Sequence, residues 1–205
     1  MIMKYILVRH TETRGNVERR FNGRTESPFT PRGLRMNEIL VEELAAIHGK
    51  QPVQKVYASP ISRARIIGEA AAEKIGCPLV IDDGLREFDF GIFDGLTAEE
   101  AMEKDAKTWN LWMADYNFTT IPGGENYNEY HRRIGQFLET QQQADEDGTV
   151  AIIAHGGTVH SLLVNLLNLP LDSKWHFQIP LGGIVMIDCP EGYGILKKLY
   201  APDYD

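Results

Sequence analysis

The stretch Val150-Ala151-Ile152-Ile153-Ala154 constrains this chain most. An unbroken apolar run, with no alternation of polar residues, marks a strand covered on both faces, as in the central sheet of α/β proteins. The run empties into His155-Gly156-Gly157. A second short apolar run, Tyr5-Ile6-Leu7-Val8, empties into Arg9-His10. Open α/β sheets hold ligands at the carboxyl ends of their strands. As central parallel strands, these two bring two histidines to one edge of the sheet.

The rest of the chain supplies the alternating helices. Residues 12–30 read as a polar loop. Thr30-Pro31 is an N-cap followed by a proline at the first helical position, and Gly49 closes the helix that follows. A second strand is expected over 53–58. Ser59-Pro60 repeats the helix-start signal, and Ile61, Ala64, Gly68, Ala71 and Ile75 form a small-residue stripe that ends at Gly76. Pro78-Leu79-Val80-Ile81-Asp82 reads as a third strand. A glycine-punctuated loop over 84–96 and a mixed, helical segment over 97–116 come next. Ile121-Pro122-Gly123-Gly124 breaks the chain. A long helix then carries Tyr127, Tyr130, Ile134, Phe137 and Leu138 on one face, and another follows His155. A terminal hairpin turns around Pro190-Glu191-Gly192. The expected fold is a three-layer α/β/α sandwich with a mostly parallel central sheet. It forms a single domain over 1–205, with a small helical cap inserted at 92–122.

Composition narrows the function. With 205 residues the chain can bury a sizeable core, and 21 basic against 29 acidic residues give a net charge of −8. That charge disfavours a broad nucleic-acid face. No apolar run approaches the roughly 20 residues that span a bilayer, and Met1-Ile2-Met3-Lys4 leads straight into the first strand, so neither a membrane span nor a signal peptide is expected. Cys77 and Cys189 are far apart, which fits a reduced, cytoplasmic protein. The acidic run Asp145-Glu146-Asp147 reads as a solvated turn.

Four strand ends deliver Arg9, His10, Arg63, Glu87 and His155 to one rim. A phosphate monoester needs such a set. Arginines hold its oxygens in charge-assisted bonds, a neutral histidine attacks phosphorus, and a second histidine steadies the moving charge. A carboxyl protonates the leaving oxygen. Competing chemistries lack their motifs. There is no Gly-x-x-x-x-Gly-Lys loop, no Gly-x-Ser-x-Gly elbow and no His-Glu-x-x-His. Neither cysteine has an arginine at the spacing of a cysteine phosphatase, and His155 and His160 do not share a helix face.

The chain resembles the histidine phosphatase superfamily, also called the phosphoglycerate mutase-like family. The resemblance rests on Leu7-Val8-Arg9-His10-Thr11-Glu12-Thr13 with Asn16, on Asn22-Gly23 and on Ser27-Pro28-Phe29-Thr30-Pro31-Arg32-Gly33. It continues through Ser59-Pro60-Ile61-Ser62-Arg63-Ala64, Leu85-Arg86-Glu87-Phe88-Asp89-Phe90-Gly91, Pro122-Gly123-Gly124-Glu125 and His155-Gly156-Gly157. It implies that His10 is the phosphorylated nucleophile and Glu87 the proton donor. Arg9, Arg63, His155 and Asn16 would hold the phosphate, with the backbone at Asn22, Gly23 and Gly156 near the substrate. It implies no metal and no cofactor. Thr11, Met36-Asn37, Ile67 and His160 depart from the family's usual residues without removing a catalytic group.

The favoured reading is a phosphomonoesterase acting on a small phosphorylated metabolite, as a monomer or homodimer. A cofactor-dependent phosphoglycerate mutase is the alternative within the family. Against it, Phe90 replaces a tyrosine common in the mutases, and Lys104 and Lys107 are the only basic residues between Gly91 and Pro122. A non-catalytic phospho-ligand binding module is the alternative from another class, and it gives no reason for His10 beside a proton donor. Trp109 and Trp112 read as packing residues before they read as a cap lining. Arg24 reads as a solvated loop charge before a substrate contact. His48 and His131 read as surface or satisfied residues.

Overall fold

The computed structural model describes residues 2–144 and 147–204. Asp145 and Glu146 of the acidic run lie outside the described residues. The strands are β1 (Ile2–Arg9), β2 (Lys55–Ala58), β3 (Leu79–Ile81), β4 (Gly148–Ala154), β5 (Ile184–Pro190) and β6 (Ile195–Tyr200). They form one sheet in the order β3-β2-β4-β1-β5-β6. The first four are parallel, and β5 is antiparallel to both its neighbours. The helices are α1 (Arg14–Val17), α2 (Pro31–Lys50), α3 (Ser62–Ile75), α4 (Ala98–Lys104), α5 (Ala106–Ala114), α6 (Tyr127–Ala144) and α7 (Gly156–Leu166).

The apolar strands alternate between two cores. Tyr5, Leu7, Val150, Ile152 and Ala154 pack with residues of α6 and α7 on one face. Ile6, Val8, Ala151 and Ile153 pack with α2 and α3 on the other. This is why β4 has no polar side chain facing out: both of its faces are dry. Phe93, Ala101, Trp112 and Ile121, from 92–122, join the first core rather than forming one of their own.

Several boundaries differ from the sequence expectation, each for a local reason. The polar loop over 12–30 contains α1 and a bridge between Thr13 and Phe29. The second strand is shortened to Lys55–Ala58, although Val53 is still buried. Thr30 caps α2 as expected, its hydroxyl accepting from the Gly33 amide at 2.9 Å, but the helix runs through Gly49 to Lys50. Ser59 does not cap α3. The helix starts at Ser62, and the Ser59 hydroxyl is used at the rim instead. The segment 97–116 is two helices, because the Asp105 carboxylate caps α5 by accepting from the Thr108 amide at 3.0 Å. The loop over 84–96 holds 3-10 turns at Asp83–Leu85 and Gly91–Phe93. Among the described residues, no helix is long and apolar enough to cross a membrane.

Candidate active site

The rim is stitched together by the ends of three parallel strands. The His10 amide donates to the Ala154 carbonyl at 2.9 Å, and the Ser59 amide donates to the Ile153 carbonyl at 3.1 Å. His10 and His155 therefore face one another across neighbouring strand ends, with ring centroids 5.4 Å apart. Both are buried.

A hydrogen bond to a carbonyl fixes the His10 tautomer. His10 Nδ1 lies 2.7 Å from its neighbour's acceptor, the Thr11 carbonyl, so Nδ1 carries the proton and the Nε2 lone pair is free. Burial holds the His10 imidazole well below its ordinary pKa, and the charges of Arg63 and Arg9 push the same way. His155 Nε2 lies 2.8 Å from the Ser59 hydroxyl. That oxygen also accepts from the Ile61 amide at 3.3 Å. His155 Nδ1 is buried without a partner. Burial also holds His155 well below its ordinary pKa, with Arg63 next in effect.

The arginines are anchored from behind. Arg9 Nη1 donates to the Ile179 carbonyl at 2.6 Å. Arg63 is 1% exposed, and donates to the carbonyls of Asn22 at 2.6 Å, Gly23 at 2.8 Å and Thr25 at 3.0 Å. Gly156 lies against Arg9, where an added Cβ would come within 3.2 Å of the guanidinium carbon. Arg9 Nε, Arg63 Nε and Asn22 Nδ2 are buried without partners. Asn16 Oδ1 accepts from the Thr13 amide at 3.0 Å and hydroxyl at 2.9 Å, while its Nδ2 has no partner among the described residues.

Glu87 stands on the other side of the histidines. Its carboxyl oxygens accept from the Phe88 amide at 2.8 Å, the Gly157 amide at 2.9 Å and the Tyr130 hydroxyl at 2.5 Å. The Tyr130 hydroxyl also lies 2.8 Å from Thr158 Oγ1. A side chain at position 157 would strike Glu87, since its Cβ would sit 2.6 Å from Oε1. Beyond Glu87 opens a cleft of about 270 Å³. Its walls are Phe21, Phe88, Phe90, Trp112, Tyr116 and Tyr127, with the 69% exposed Trp175 at the lip.

The structure thus brings Arg9, His10, Arg63, Glu87 and His155 together, with Asn22 and Gly23 against Arg63 and Gly156 against Arg9, while the recorded bonds of Asn16 are to Thr13. In sequence Tyr130 has the pattern of a core residue. The available signal was a tyrosine on an otherwise apolar stripe, whose hydroxyl needs a partner when buried. Arg24 is not a freely solvated charge. It lies 3.4 Å from Asp89 and 3.7 Å from Glu125, and its charge acts on His155. Trp112 both packs in the core and lines the cleft, while Trp109 packs against Phe21, Phe93 and Trp112. His48 and His131 are satisfied, by the Val53 amide at 3.1 Å and Ser161 Oγ at 2.7 Å. The unusual Thr11 is explained by Asn37, whose Oδ1 accepts from its hydroxyl at 2.5 Å. His160 Nε2 lies 2.8 Å from the Phe177 carbonyl and takes no part in the rim. Among the described residues, no group of three or more His, Cys, Asp or Glu side chains is arranged to hold a metal ion.

Fold and rim together define an α/β protein with a pocket of two histidines and two arginines at its strand ends. The chain belongs to the histidine phosphatase superfamily (branch 1), whose family model matches residues 5–202. It is 28% identical over 197 residues to the adenosylcobalamin/alpha-ribazole phosphatase of Salmonella typhimurium, covering 96% of each chain. It is 26% identical over 198 residues to phosphoserine phosphatase 1 of Hydrogenobacter thermophilus, covering 97% of this chain and 92% of that one. The crystal structure of the alpha-ribazole phosphatase from Shigella flexneri superposes with a TM-score of 0.87 at 26% identity, over 97% of this chain and 96% of that one. Bacillus stearothermophilus YhfR shares the fold with a TM-score of 0.86 at 24% identity, over 98% of each chain.

Proposed function

We propose that the protein hydrolyses the phosphate monoester of a small metabolite through a phosphohistidine on His10. The observation that carries this is the set of buried nitrogens left without partners at the rim: the donors Arg9 Nε, Arg63 Nε and Asn22 Nδ2, and His155 Nδ1. Buried donors without acceptors are costly, and a phosphoryl group supplies the acceptors they lack.

The neutral His10 attacks phosphorus with Nε2 as the bond to the leaving oxygen breaks. Glu87 gives its proton to that oxygen. Water then attacks the phosphoryl group, Glu87 takes back a proton, and the nitrogen–phosphorus bond breaks to release phosphate. Arg9, Arg63, Asn16 and His155 hold the phosphoryl oxygens throughout. Residues 92–122 serve as a cap over the leaving group, with Trp112 as its inner face. The apolar wall at Phe90 offers nothing to hold a second phosphoester, which supports hydrolysis over mutase transfer. The two free cysteines fit a cytoplasmic location.

Trapping tests the reading. Turnover of a radiolabelled phosphate ester quenched in alkali is expected to leave one acid-labile, alkali-stable phosphoryl group on His10 Nε2. No label, or label on another residue, would refute the intermediate.

Tyr130→Phe tests the acid. Losing the hydroxyl that orients Glu87 is expected to lower kcat/KM about tenfold for alkyl phosphates, and less for 4-nitrophenyl phosphate, whose leaving group needs little protonation. Equal losses on both would count against proton donation by Glu87.

A further inference from the structure

The Tyr130 hydroxyl holds Glu87, and a second buried hydroxyl holds Tyr130 in turn. The Tyr130 oxygen lies 2.5 Å from Glu87 Oε1 and 2.8 Å from Thr158 Oγ1. Thr158 is fully buried, at the third position of α7. A phenol has one proton. Donated to Glu87, it leaves Tyr130 as the acceptor in the second bond, with Thr158 as the donor. The Thr158 hydroxyl also lies 3.3 Å from the Arg86 carbonyl and 3.4 Å from that of Leu85. Both distances are longer than that to Tyr130, and the Arg86 carbonyl already accepts from Arg133 Nη1 at 3.1 Å. The donors therefore run from Thr158 to Tyr130 to Glu87.

Lone pairs at the carboxyl decide where its proton sits. Oε1 accepts from the Phe88 amide at 2.8 Å as well as from Tyr130. Both of its lone pairs are then engaged, and the carboxyl proton goes to Oε2. Among the described residues Oε2 accepts from the Gly157 amide alone, at 2.9 Å, and keeps a lone pair for that proton. Glycine at 157 makes the arrangement possible, since an added Cβ would sit 2.6 Å from Oε1 and 3.0 Å from the Tyr130 hydroxyl. The first turn of α7 thus grips both oxygens, Oε2 through the Gly157 amide and Oε1 through Thr158 and Tyr130. His155 is the N-cap of the same helix, so one element sets both the proton donor and a rim histidine.

We propose that Thr158 is a positioning residue for the proton donor. It fixes the Tyr130 hydroxyl on Glu87 Oε1, and so keeps Oε2 as the oxygen that passes its proton to the leaving oxygen as the phosphorus–oxygen bond breaks, and that takes a proton back from water. Without the threonine hydroxyl the Tyr130 oxygen is a buried acceptor with no donor, and its hold on Oε1 weakens. The inference rests on the phosphatase reading and adds to it a residue that touches neither substrate nor Glu87 and acts through Tyr130.

The test measures kcat/KM for 2-phenylethyl phosphate, whose alkoxide must be protonated as it leaves, and for 4-nitrophenyl phosphate, whose phenolate needs little help. Thr158→Val keeps the shape and removes the hydroxyl. It is expected to lose about fivefold on the alkyl ester and less than about twofold on the aryl ester, and Thr158→Ser to recover the alkyl loss. A threonine needed only for packing would lower both esters alike. Combined with Tyr130→Phe, Thr158→Val is expected to cost nothing further, because its route is already cut. Thr158→Ala gives the same comparison if the valine variant does not fold. The absence of an alkyl-selective loss, no recovery by serine, or losses that multiply in the double variant overturns the inference and leaves the phosphatase reading intact. A wild-type protein that hydrolyses neither ester overturns both.

Discussion

His10→Ala is expected to lower kcat/KM for an aryl phosphate by about 10,000-fold or more, because no other group on the rim can take the phosphoryl group. His155 is the nearest imidazole, yet its Nε2 is engaged by the Ser59 hydroxyl 2.8 Å away. Activity within tenfold of wild type would remove His10 from the nucleophile's role. The variant should also fold, and acid stability provides the check. His10 and His155 are buried and neutral in the native state, with their pKa values lowered from 6.5. Below about pH 6.5 the unfolded chain takes up protons on these residues that the folded chain does not. Their neutral burial is therefore without penalty above that pH, and stability falls as pH falls below it, levelling off only past the folded-state values. Each such histidine contributes up to about 1.4 kcal/mol per pH unit to the slope. His10→Ala removes one of the two contributions, so denaturant unfolding between pH 6 and 5 should show a flatter decline than the wild type. An unchanged slope would mean that His10 is not held neutral by the fold.

The parts of this molecule that were legible in the sequence are those encoded locally. The dry strands β1 and β4 announce themselves because both faces need apolar side chains, and residues 10 and 155 follow directly from where those strands stop. Thr30 and Gly76 mark helix ends through their own backbones. What escaped depends on contacts between distant segments. Ser59 and Pro60 carry a sound capping signal, but a histidine 96 residues away takes the hydroxyl, and α3 begins later. Tyr130 looks like any aromatic on an apolar stripe until Glu87 is brought beneath its hydroxyl. Lys174, only 2% exposed, gives no periodic signal at all, because its burial is imposed by Tyr116 and Tyr127 from other segments. Thr11 and Asn37, two departures from the family's usual residues, make sense only as a pair.

Arg63→Ala is expected to damage both stability and activity, and by separable routes. The guanidinium ties the carbonyls of Asn22, Gly23 and Thr25 to the start of α3, so truncation leaves three acceptors to be satisfied by water in a space that was sealed. Loss of that network should cost about 3 kcal/mol, read as a shift in the urea midpoint with an unchanged slope. The same group holds the Asn22–Gly23 backbone at the rim and leaves Nε facing it without a partner. With it gone, kcat/KM should fall about 1,000-fold even well below the denaturation midpoint, since a phosphoryl group loses both a charged donor and the loop that helps enclose it. Arg63→Lys separates the two effects. A point charge restores part of the attraction for phosphate, but its geometry cannot serve three carbonyls at once. Activity should therefore recover further toward wild type than stability does. Full recovery of both by lysine would show that Arg63 acts as a charge alone, and that the carbonyl ties are incidental to the site.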